Sequence, residues 1–369
     1  MEEWYRISNI DEMDTPALVI YPDRVKENIE LLKSMIDDVN RLRPHVKTHK
    51  AKEVVLLQMS AGINKFKCAT IAEAEMLAGC QAPDVLLAYQ PVGPKVNRLI
   101  SLIKKYPATK FSCLVDDIAA AEAIAVKASQ AGIVISLFID LNIGMNRTGI
   151  TPGPEAVDLY KLCSSLTGID PVGLHAYDGH IHDSDLQARK LKSDEAFAKV
   201  ESLKAEIVKQ GFPEPIIVAG GSPTFPIHAK RKKTECSPGT FIYWDAGYQQ
   251  GLPEQPFLPA ALVISRVISH PGENLLCLDL GHKSVAAEKE LNNRVVFINA
   301  PELKFVGQSE EHLVAETDKQ HPYKVGDVLY GMPFHICPTC ALYERAFIVE
   351  EGKVSSEWEI IARDRKILL

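Results

Sequence analysis

Residues 65–89, KFKCATIAEAEMLAGCQAPDVLLAY, contain the repeating unit that decides the fold. Residues 65–70 predict a short strand, the alanine-rich stretch 71–79 predicts a helix, and residues 84–89 predict a second strand. A helix between two strands carries the chain back along the sheet, so that both strands can run parallel. The stretch therefore predicts one βαβ unit of a parallel sheet.

The same alternation continues on both sides of this unit. Further strands are predicted at residues 110–115, 134–141, 171–177, 216–221 and 239–246, and helices at 94–106, 117–132, 154–166 and 183–210. Together with a strand that ends near Lys47, this gives eight strands, the number that closes a parallel barrel. We expect a (β/α)8 TIM-like barrel, and an open doubly wound sheet is the alternative.

The sequence pattern changes near residue 248, where Pro253, Pro256 and Pro259 interrupt the alternation of predicted strands and helices. Later segments alternate apolar and polar residues without long helices, which is typical of antiparallel strands. Such strands are predicted at residues 260–270, 275–280, 294–299, 328–330 and 346–349. We therefore predict a barrel domain at 16–247 and a second, mostly antiparallel β domain at 248–369 that also includes residues 1–15.

The composition limits the partners that the protein can have. The 369 residues carry a formal net charge of -7, which argues against nucleic acid or an anionic membrane as the main partner. No apolar stretch reaches the ~18 residues of a membrane span, and the acidic start lacks a basic-then-apolar signal. We expect a cytoplasmic protein whose eight scattered cysteines are reduced thiols.

Residues 41–50, RLRPHVKTHK, place a lysine between two histidines where a predicted strand gives way to a helix. Lys47 then lies at the carboxyl end of the strand. At such a position the amine can be partly desolvated, stay neutral, attack a carbonyl group and form a Schiff base. A solvated surface lysine is the other interpretation, since lysines are common beside strand ends.

Two loops are candidates for binding a phosphate group. In eight-stranded barrels the working face is the carboxyl end of the strands, and phosphate is often held after strands seven and eight. Predicted strand seven ends in Gly220, Gly221 and Ser222, and strand eight is introduced by a loop with Gly239 and Thr240. Glycines let backbone N–H groups approach an anion, although turns use glycine pairs everywhere. A lysine and two phosphate loops suggest a cofactor with an aldehyde and a phosphate, pyridoxal 5'-phosphate (PLP).

Two segments resemble the alanine racemases. Residues 144–149, GMNRTG, are similar to a Gly-Met-x-Arg-x-Gly segment whose arginine lies beside the cofactor, which implies this position for Arg147. Residues 238–240, PGT, resemble the Pro-Gly-Ile phosphate loop of the same enzymes. Both resemblances place the cofactor at the carboxyl end of the predicted barrel.

A second resemblance covers nearly the whole chain. Arg43–Lys50 reproduce the Arg-Pro-His-x-Lys-Thr-His-Lys motif of the D-threonine aldolase and D-serine dehydratase family, in which the lysine forms the Schiff base with PLP. Residues 14–19, DTPALV, and 279–283, DLGHK, also resemble patterns of this family. The resemblance implies a barrel followed by a β domain, with Lys47 as the Schiff-base lysine.

A late segment, residues 335–340 with the sequence HICPTC, contains potential metal ligands. Residues two apart on an extended segment point to the same side, so His335 and Cys337 can share one ion, and imidazole with thiolate favours zinc. A structural role for the pair is the alternative. The resembled family binds a divalent metal through a His-x-Cys or His-x-Asp pair in this region, which implies a metal at His335 and Cys337. Cys340 lacks the second cysteine pair of a zinc knuckle and is left out.

Predicted strand six ends in residues 175–182, HAYDGHIH. His175 and Tyr177 are candidates for stacking on, or hydrogen bonding to, the pyridine ring of PLP. Core packing or exposure at the strand end explains them equally well. The group that faces the pyridine nitrogen is not assigned.

The resemblance implies a PLP- and divalent-metal-dependent lyase that acts on a D-3-hydroxy amino acid. A His-x-Cys pair resembles the zinc-dependent dehydratase branch and His-x-Asp the aldolase branch, so we lean toward a D-serine- or D-threonine-type dehydratase. A D-threonine aldolase, which cleaves its substrate to glycine and an aldehyde, is the first alternative. An amino-acid racemase and a non-enzymatic PLP-binding protein are the others. Related two-domain folds form head-to-tail dimers, so we expect a homodimer.

Overall fold

The structure of the protein, a computed structural model, describes residues 3–368. The chain forms two compact units. The β unit contains the chain up to Leu31, Thr48–Val54 and Thr240–Arg363, and the barrel unit contains Leu32–Lys47, Val55–Gly239 and the residues from Asp364 onward. Each unit combines segments that are distant in the sequence, and the predicted division at residues 247 and 248 stays a prediction.

Strands and helices alternate through the first two thirds of the described chain, and strands dominate the rest. The strands are β1 (Ala17–Ile20), β2 (Lys65–Cys68), β3 (Asp84–Leu87), β4 (Lys110–Val115), β5 (Ile135–Asp140), β6 (Ile169–Ala176), β7 (Ile216–Ala219), β8 (Thr234–Cys236), β9 (Ala261–Gly272), β10 (Leu275–Leu278), β11 (Val295–Phe297), β12 (Lys304–Gln308), β13 (Leu313–Glu316), β14 (Val328–Pro333), β15 (Arg345–Glu350) and β16 (Lys353–Glu359). The helices are α1 (Pro22–Ser34), α2 (Lys52–Ser60), α3 (Ile71–Gly79), α4 (Pro94–Lys105), α5 (Ile118–Gln130), α6 (Pro154–Ser165), α7 (Leu186–Lys209), α8 (Phe225–His228), α9 (Ala246–Gly251) and α10 (Ile336–Cys340).

The barrel unit is a curled sheet of seven parallel strands, β2 to β8, in sequence order. Residues 42–46 take the eighth position between the two edges of this sheet. On one side Arg43 N donates to Cys236 O at 2.8 Å, and on the other Val46 N donates to Lys67 O at 2.9 Å. The predicted barrel class is therefore confirmed, and the doubly wound sheet is not what the chain forms.

Local sequence explains where the barrel helices begin. Thr70, Asp117 and Asp185 each accept a hydrogen bond from a backbone N–H three residues on, which caps α3, α5 and α7. Between the strands, Gly173 makes room for a neighbour, because a Cβ there would lie 2.5 Å from the ring of Phe138. Capped helices and a close-packed interior fix the ends of the strands, where the candidate site lies.

The eighth strand was predicted in the wrong place. A strand was expected at residues 239–246, whereas β8 ends at Cys236 and residues 240–242 form a 3-10 turn. Pro238 lacks a backbone N–H and Gly239 weakens strand pairing, so the chain leaves the sheet before them. The true strand is short and polar, and its Glu235 is buried because it pairs with Arg43. The loop with Gly239 thus follows strand eight instead of introducing it.

The β unit is built around a mostly antiparallel sheet. Its strand order is β12-β13-β10-β9-β1-β15-β16, and β14 pairs with β9 and β11. Strand β1 pairs antiparallel with β9 and parallel with β15. Three strands, β12, β13 and β16, were missed by the sequence reading, because they are short or, like β16, mostly exposed and polar.

Two of the family-like segments meet in this unit. Thr15 Oγ1 donates to Asp279 Oδ2 at 2.5 Å, and the other carboxylate oxygen accepts from Ser265 Oγ and Arg266 N at 2.8 Å each. Asp279 therefore ties the start of β1 to β9 and has a structural role.

All eight cysteines are free thiols, as predicted. In residues 3–368, no helix combines the length and the apolar character needed to cross a membrane.

Candidate active site

The barrel segment that ends in Lys47 is anchored by a buried arginine. Arg43 is 2% exposed, and it donates to Glu235 Oε2 and to Asp84 Oδ1 at 2.6 Å each. Burial alone would lower the pKa of Arg43, but the two carboxylates raise it overall. Lys47 itself is exposed, and its backbone N–H donates to His45 Nδ1 at 3.3 Å. Arg43 thus holds the backbone that carries Lys47.

His175, at the end of β6, belongs to a series of three buried side chains. Its Nδ1 lies 2.7 Å from Asp140 Oδ1, and its Nε2 lies 3.5 Å from Lys67 Nζ. The carboxylate favours the tautomer with the proton on Nδ1, which leaves Nε2 as an acceptor. Burial lowers the pKa of His175, although the hydrogen bond to Asp140 opposes this. His175 is therefore a neutral imidazole near neutral pH.

Tyr177 brings two cationic side chains together. The guanidinium carbon of Arg147 lies 5.0 Å from the centroid of its ring, and Lys67 Nζ lies 5.7 Å from it. Two glycines make room for the ring: a Cβ at Gly179 would lie 2.2 Å from the tyrosine hydroxyl, and one at Gly221 would lie 3.1 Å from Cε2. The structure thus brings the predicted residues Arg147, Tyr177 and Gly221 into one cluster.

Arg147 lies on a loop whose shape explains the GMNRTG segment. Asn142 Oδ1 accepts from the N–H groups of Gly144 and Asn146 at 3.1 and 3.0 Å. Gly144 and Gly149 have φ angles of 129° and 99°, in the region that favours glycine. The two glycines therefore serve the backbone turn.

The loops after β7 and β8 are joined to each other. Ser222 Oγ accepts from Gly239 N at 3.3 Å. Gly220 has a φ of 76°, and a Cβ there would lie 2.6 Å from the ring of His228. Ser237 Oγ is buried and has no hydrogen-bond partner in the described chain. A buried hydroxyl without a partner, beside two glycine loops, fits a phosphate group whose oxygen accepts a hydrogen bond from it.

Asp178 is a buried carboxylate that supports the loop after β7. It is 1% exposed and accepts from Thr224 Oγ1 at 2.7 Å and from His228 Nε2 at 2.8 Å. Burial would raise the pKa of Asp178, but His228 and Thr224 lower it overall. Thr224 in turn accepts from Gly221 N at 3.4 Å, which carries the support into the loop.

In the β unit, Cys337 lies close enough to His335 to raise the pKa of its imidazole. Cys337 Sγ also lies 3.2 Å from Thr48 Oγ1 and 3.5 Å from Thr240 Oγ1. His335 Nδ1 lies 2.5 Å from Glu288 Oε1. Burial would lower the pKa of His335, but Cys337 and Glu288 raise it to about 9. Thr240, predicted at the phosphate, has its hydroxyl near Cys337, and its role toward phosphate stays a prediction.

The local geometry of His335 and Cys337, the predicted metal ligands, differs from the extended segment that we predicted. His335 is the N-cap residue of α10, and Cys337 lies in its first turn. The helix starts there because the buried carboxylate of Asp245 accepts from Ile336 N at 3.1 Å. Burial raises the pKa of Asp245 to about 6. His335 and Cys337 lie at the start of a helix and not on an extended segment, so the reason given for their proximity was wrong.

Thr339 holds the Glu288 loop beside α10. Its hydroxyl, which is fully buried, donates to His335 O at 2.9 Å and accepts from Ala286 N at 3.1 Å. Glu288 follows two residues later and reaches Nδ1 of the histidine. An outer carboxylate on one nitrogen orients a metal-binding imidazole, so Nε2 is the nitrogen that remains for a metal.

The donor set fits a divalent cation with open coordination positions. Across residues 3–368, His, Cys, Asp and Glu side chains form no group of three or more that could hold a metal. A cation bound here would therefore have two protein donors, the imidazole of His335 and the thiol of Cys337. Nitrogen and sulfur donors favour zinc, and two protein ligands leave room for water or substrate. Burial, with Cys337 nearby, raises the pKa of Cys340 well above its usual range, so this thiol stays neutral and outside the donor set.

The fold and the two donor sets define a class: a parallel barrel with a lysine after its first strand, followed by a β domain with a His–Cys pair. Residues 20–246 match the family described as alanine racemase, N-terminal domain, and residues 260–349 match a putative serine dehydratase domain. The chain belongs to the alanine racemase N-terminal domain family. The serine dehydratase match includes His335 and Cys337.

Relatives of known activity cover almost the whole chain. It is 27% identical to a D-threonine aldolase of Arthrobacter sp, over 95% of this chain and 93% of the relative. It is 26% identical to a D-threo-3-hydroxyaspartate dehydratase of Delftia sp. strain HT23, over 94% of this chain and 97% of the relative. A solved D-threonine aldolase from Filomicrobium marinum has a TM-score of 0.87 and 26% identity, with coverage of 95% of this chain and 96% of that chain. The predicted family and fold are confirmed.

Sequence reasoning missed several residues of the site. Lys67 and Asp140 flank His175, Asp178 supports the phosphate loops, and Glu288 contacts His335. For Lys67 the sequence contains a signal, because this lysine lies between the apolar residues Phe66 and Cys68 in a predicted strand. For Glu288 no signal existed, since its loop has an ordinary composition.

Proposed function

We propose that the protein is a PLP- and divalent-metal-dependent lyase that dehydrates D-3-hydroxy amino acids, such as D-serine and D-threonine, to 2-oxo acids and ammonia. The lyase class is supported by the similarity over nearly the full chain to an aldolase and a dehydratase of D-hydroxy amino acids. The observation that carries the dehydratase assignment is the presence of a His-x-Cys pair, His335 and Cys337, within the serine dehydratase match.

The two sites divide the chemistry between them. Bound PLP would supply an aldehyde for the substrate amine and a ring that accepts an electron pair, and a bound cation would supply Lewis acidity toward a hydroxyl oxygen. Lys47 is the amine that removes the proton from Cα. His335 and Cys337 would hold the cation, and its positive charge would favour departure of the β-hydroxyl group.

One feature of the chain supports a single reaction for both sites. Lys47 is followed directly by Thr48, whose hydroxyl lies 3.2 Å from Cys337 Sγ. Loss of the Cα proton and of the β-hydroxyl group as water leaves an unsaturated amine, which hydrolyses to a 2-oxo acid and ammonia. Threonine then gives 2-oxobutanoate, and serine gives pyruvate.

The test combines metal removal with product analysis. Chelation, or His335→Ala and Cys337→Ala, should leave the visible absorbance of bound PLP intact and abolish turnover of D-threonine. With metal present, D-threonine should yield 2-oxobutanoate and ammonia. Full activity without metal would overturn the metal dependence, and interconversion of D- and L-alanine as the only detectable reaction would overturn the proposal in favour of a racemase.

Aldol cleavage is the second candidate, and the similarity to D-threonine aldolases favours it. In that reaction a base removes the proton of the β-hydroxyl group, and the bond between Cα and Cβ breaks. The same incubation then gives glycine and acetaldehyde. Binding of PLP without turnover of any D-hydroxy amino acid would favour a non-enzymatic role.

We also infer a homodimer, zinc as the metal and a cytoplasmic location. Light scattering of the purified protein tests the first, and elemental analysis of the protein as isolated tests the second. A monomer with full activity would contradict the dimer.

A further inference from the structure

Lys67 is a buried lysine that the proposed reaction does not use. It lies in β2 beside His45 and is 2% exposed. Its amine lies 3.5 Å from His175 Nε2 and 5.7 Å from the centroid of the Tyr177 ring. Within the described chain, Nζ forms no ion pair with a carboxylate.

A buried amine without a carboxylate partner is costly, because an ammonium group loses its hydration and gains no opposite charge. The nearby carboxylates are engaged elsewhere: Asp140 binds His175, and Asp178 binds Thr224 and His228. Burial of the Lys67 ammonium group therefore destabilises the protein when no ligand is bound, and an anionic ligand would offset this cost.

The charges around Lys67 come from several elements. Lys47 and Arg43 repel its ammonium form, whereas Asp140 and Asp178 attract it, and His175 faces it as a neutral ring. Burial, followed by the repulsion of Lys47, lowers the pKa of Lys67 to about 7. A nearby anion would hold the proton on this amine.

We propose that Lys67 is a ligand-binding residue whose ammonium group contacts an anionic oxygen of the bound cofactor or of the substrate. The proposal rests on the proposed function, since it takes PLP and an amino acid as the occupants of the barrel end. The neighbours Tyr177 and His175 are predicted cofactor contacts, which favours an oxygen of PLP. A carboxylate of the substrate has the same chemistry.

The first arm of the test measures the binding of PLP to the protein freed of cofactor, with no turnover required. Lys67→Met keeps the length of the side chain and removes its charge, so the fold is expected to persist, and a melting curve checks this. We expect PLP to bind roughly 10-fold more weakly to Lys67→Met at pH 6.5. Because the ammonium form makes the contact, the difference from the unmodified protein should shrink as the pH rises to 9. Lys67→Arg should restore most of the affinity.

The second arm measures KM at saturating PLP for D-threonine and for D-threo-3-hydroxyaspartate, which has a second carboxylate. If the contact is with a substrate carboxylate shared by both, both KM values rise; if it is with the second carboxylate, only that of 3-hydroxyaspartate rises. Lys110→Met, an exposed lysine on β4, is the matched control and should change neither measurement. Unchanged PLP affinity at every pH together with unchanged KM values in Lys67→Met would overturn the proposal. PLP binding without lyase turnover would count against the proposed function and still leave the first arm decisive.

Discussion

The barrel end around Lys47 and the segment around His335 are assembled in different ways. At the barrel end, the side chains come from separate strands and meet only because the sheet closes on itself. At the segment, two candidate metal ligands lie within three residues, and the segment is held by hydrogen bonds that it donates to the carboxylates of Glu288 and Asp245. The side chains around Lys47 are therefore held in place by the whole barrel unit, whereas His335 and Cys337 depend on a few contacts. Substitutions in the two regions should have separable effects.

The largest effect is expected at Lys47. In the proposed reaction Lys47 is the amine that binds PLP covalently and takes the proton from Cα, so turnover of Lys47→Ala should fall by roughly 10^4-fold or more. Borohydride should no longer fix PLP to the protein, while the bound metal content stays the same. Lys50→Ala is the control from the same motif. Labelling of Lys50 instead of Lys47 in the unmodified protein would contradict the assignment.

Glu288 tests the other side of the comparison. Glu288→Gln keeps the size of the side chain but loses the charge that orients the His335 ring, and loss of such a partner weakens metal binding by about 10- to 100-fold. Titration with zinc measures this directly, and PLP absorbance should not change. Glu290→Gln, in the same loop and exposed, should bind metal normally. Equal zinc affinity in both variants would show that Glu288 has no such role.

The comparison also explains what the sequence could reveal. Periodicity located seven of the eight barrel strands, and the motif around Lys47 made this lysine a candidate, because strands and local motifs depend on residues that are neighbours in the sequence. The contacts among Lys67, His175 and Asp140 could not be read, since they join strands that lie far apart in the sequence. The polar strand β8 gave no apolar signal, because the charge of its Glu235 is compensated by distant partners.

Each unit contains a buried histidine whose pKa is lowered, His49 in the β unit and His175 in the barrel unit, and acid should affect the two differently. His49, in the β unit, is 1% exposed, and burial lowers its pKa to about 3, partly opposed by its hydrogen bond to Ala51. In the unfolded chain its pKa is about 6.5. Between these values the unfolded state binds one more proton, so stability falls as the pH falls, by about 1.4 kcal/mol per pH unit. From pH 6.5 to pH 5 this amounts to roughly 2 kcal/mol.

His49→Gln should remove this slope from the free energy of unfolding, measured in urea at several pH values. His175→Gln should remove a smaller one, because the hydrogen bond to Asp140 opposes the lowering of the His175 pKa. Parallel curves for His49→Gln and the unmodified protein would mean that His49 is protonated in the folded state.

The smallest effect is expected at Gly221, where the barrel end is most sensitive to shape. In Gly221→Ala the added Cβ would lie 3.1 Å from Cε2 of Tyr177, so the ring must move by a few tenths of an ångström. Such crowding costs on the order of 1 kcal/mol, which corresponds to about fivefold weaker PLP binding. Gly79→Ala is the control within the barrel unit, because its Cβ meets nothing within 4 Å. Fluorescence titration with PLP measures both variants, and equal affinities would show that the position of the Tyr177 ring does not matter to the cofactor.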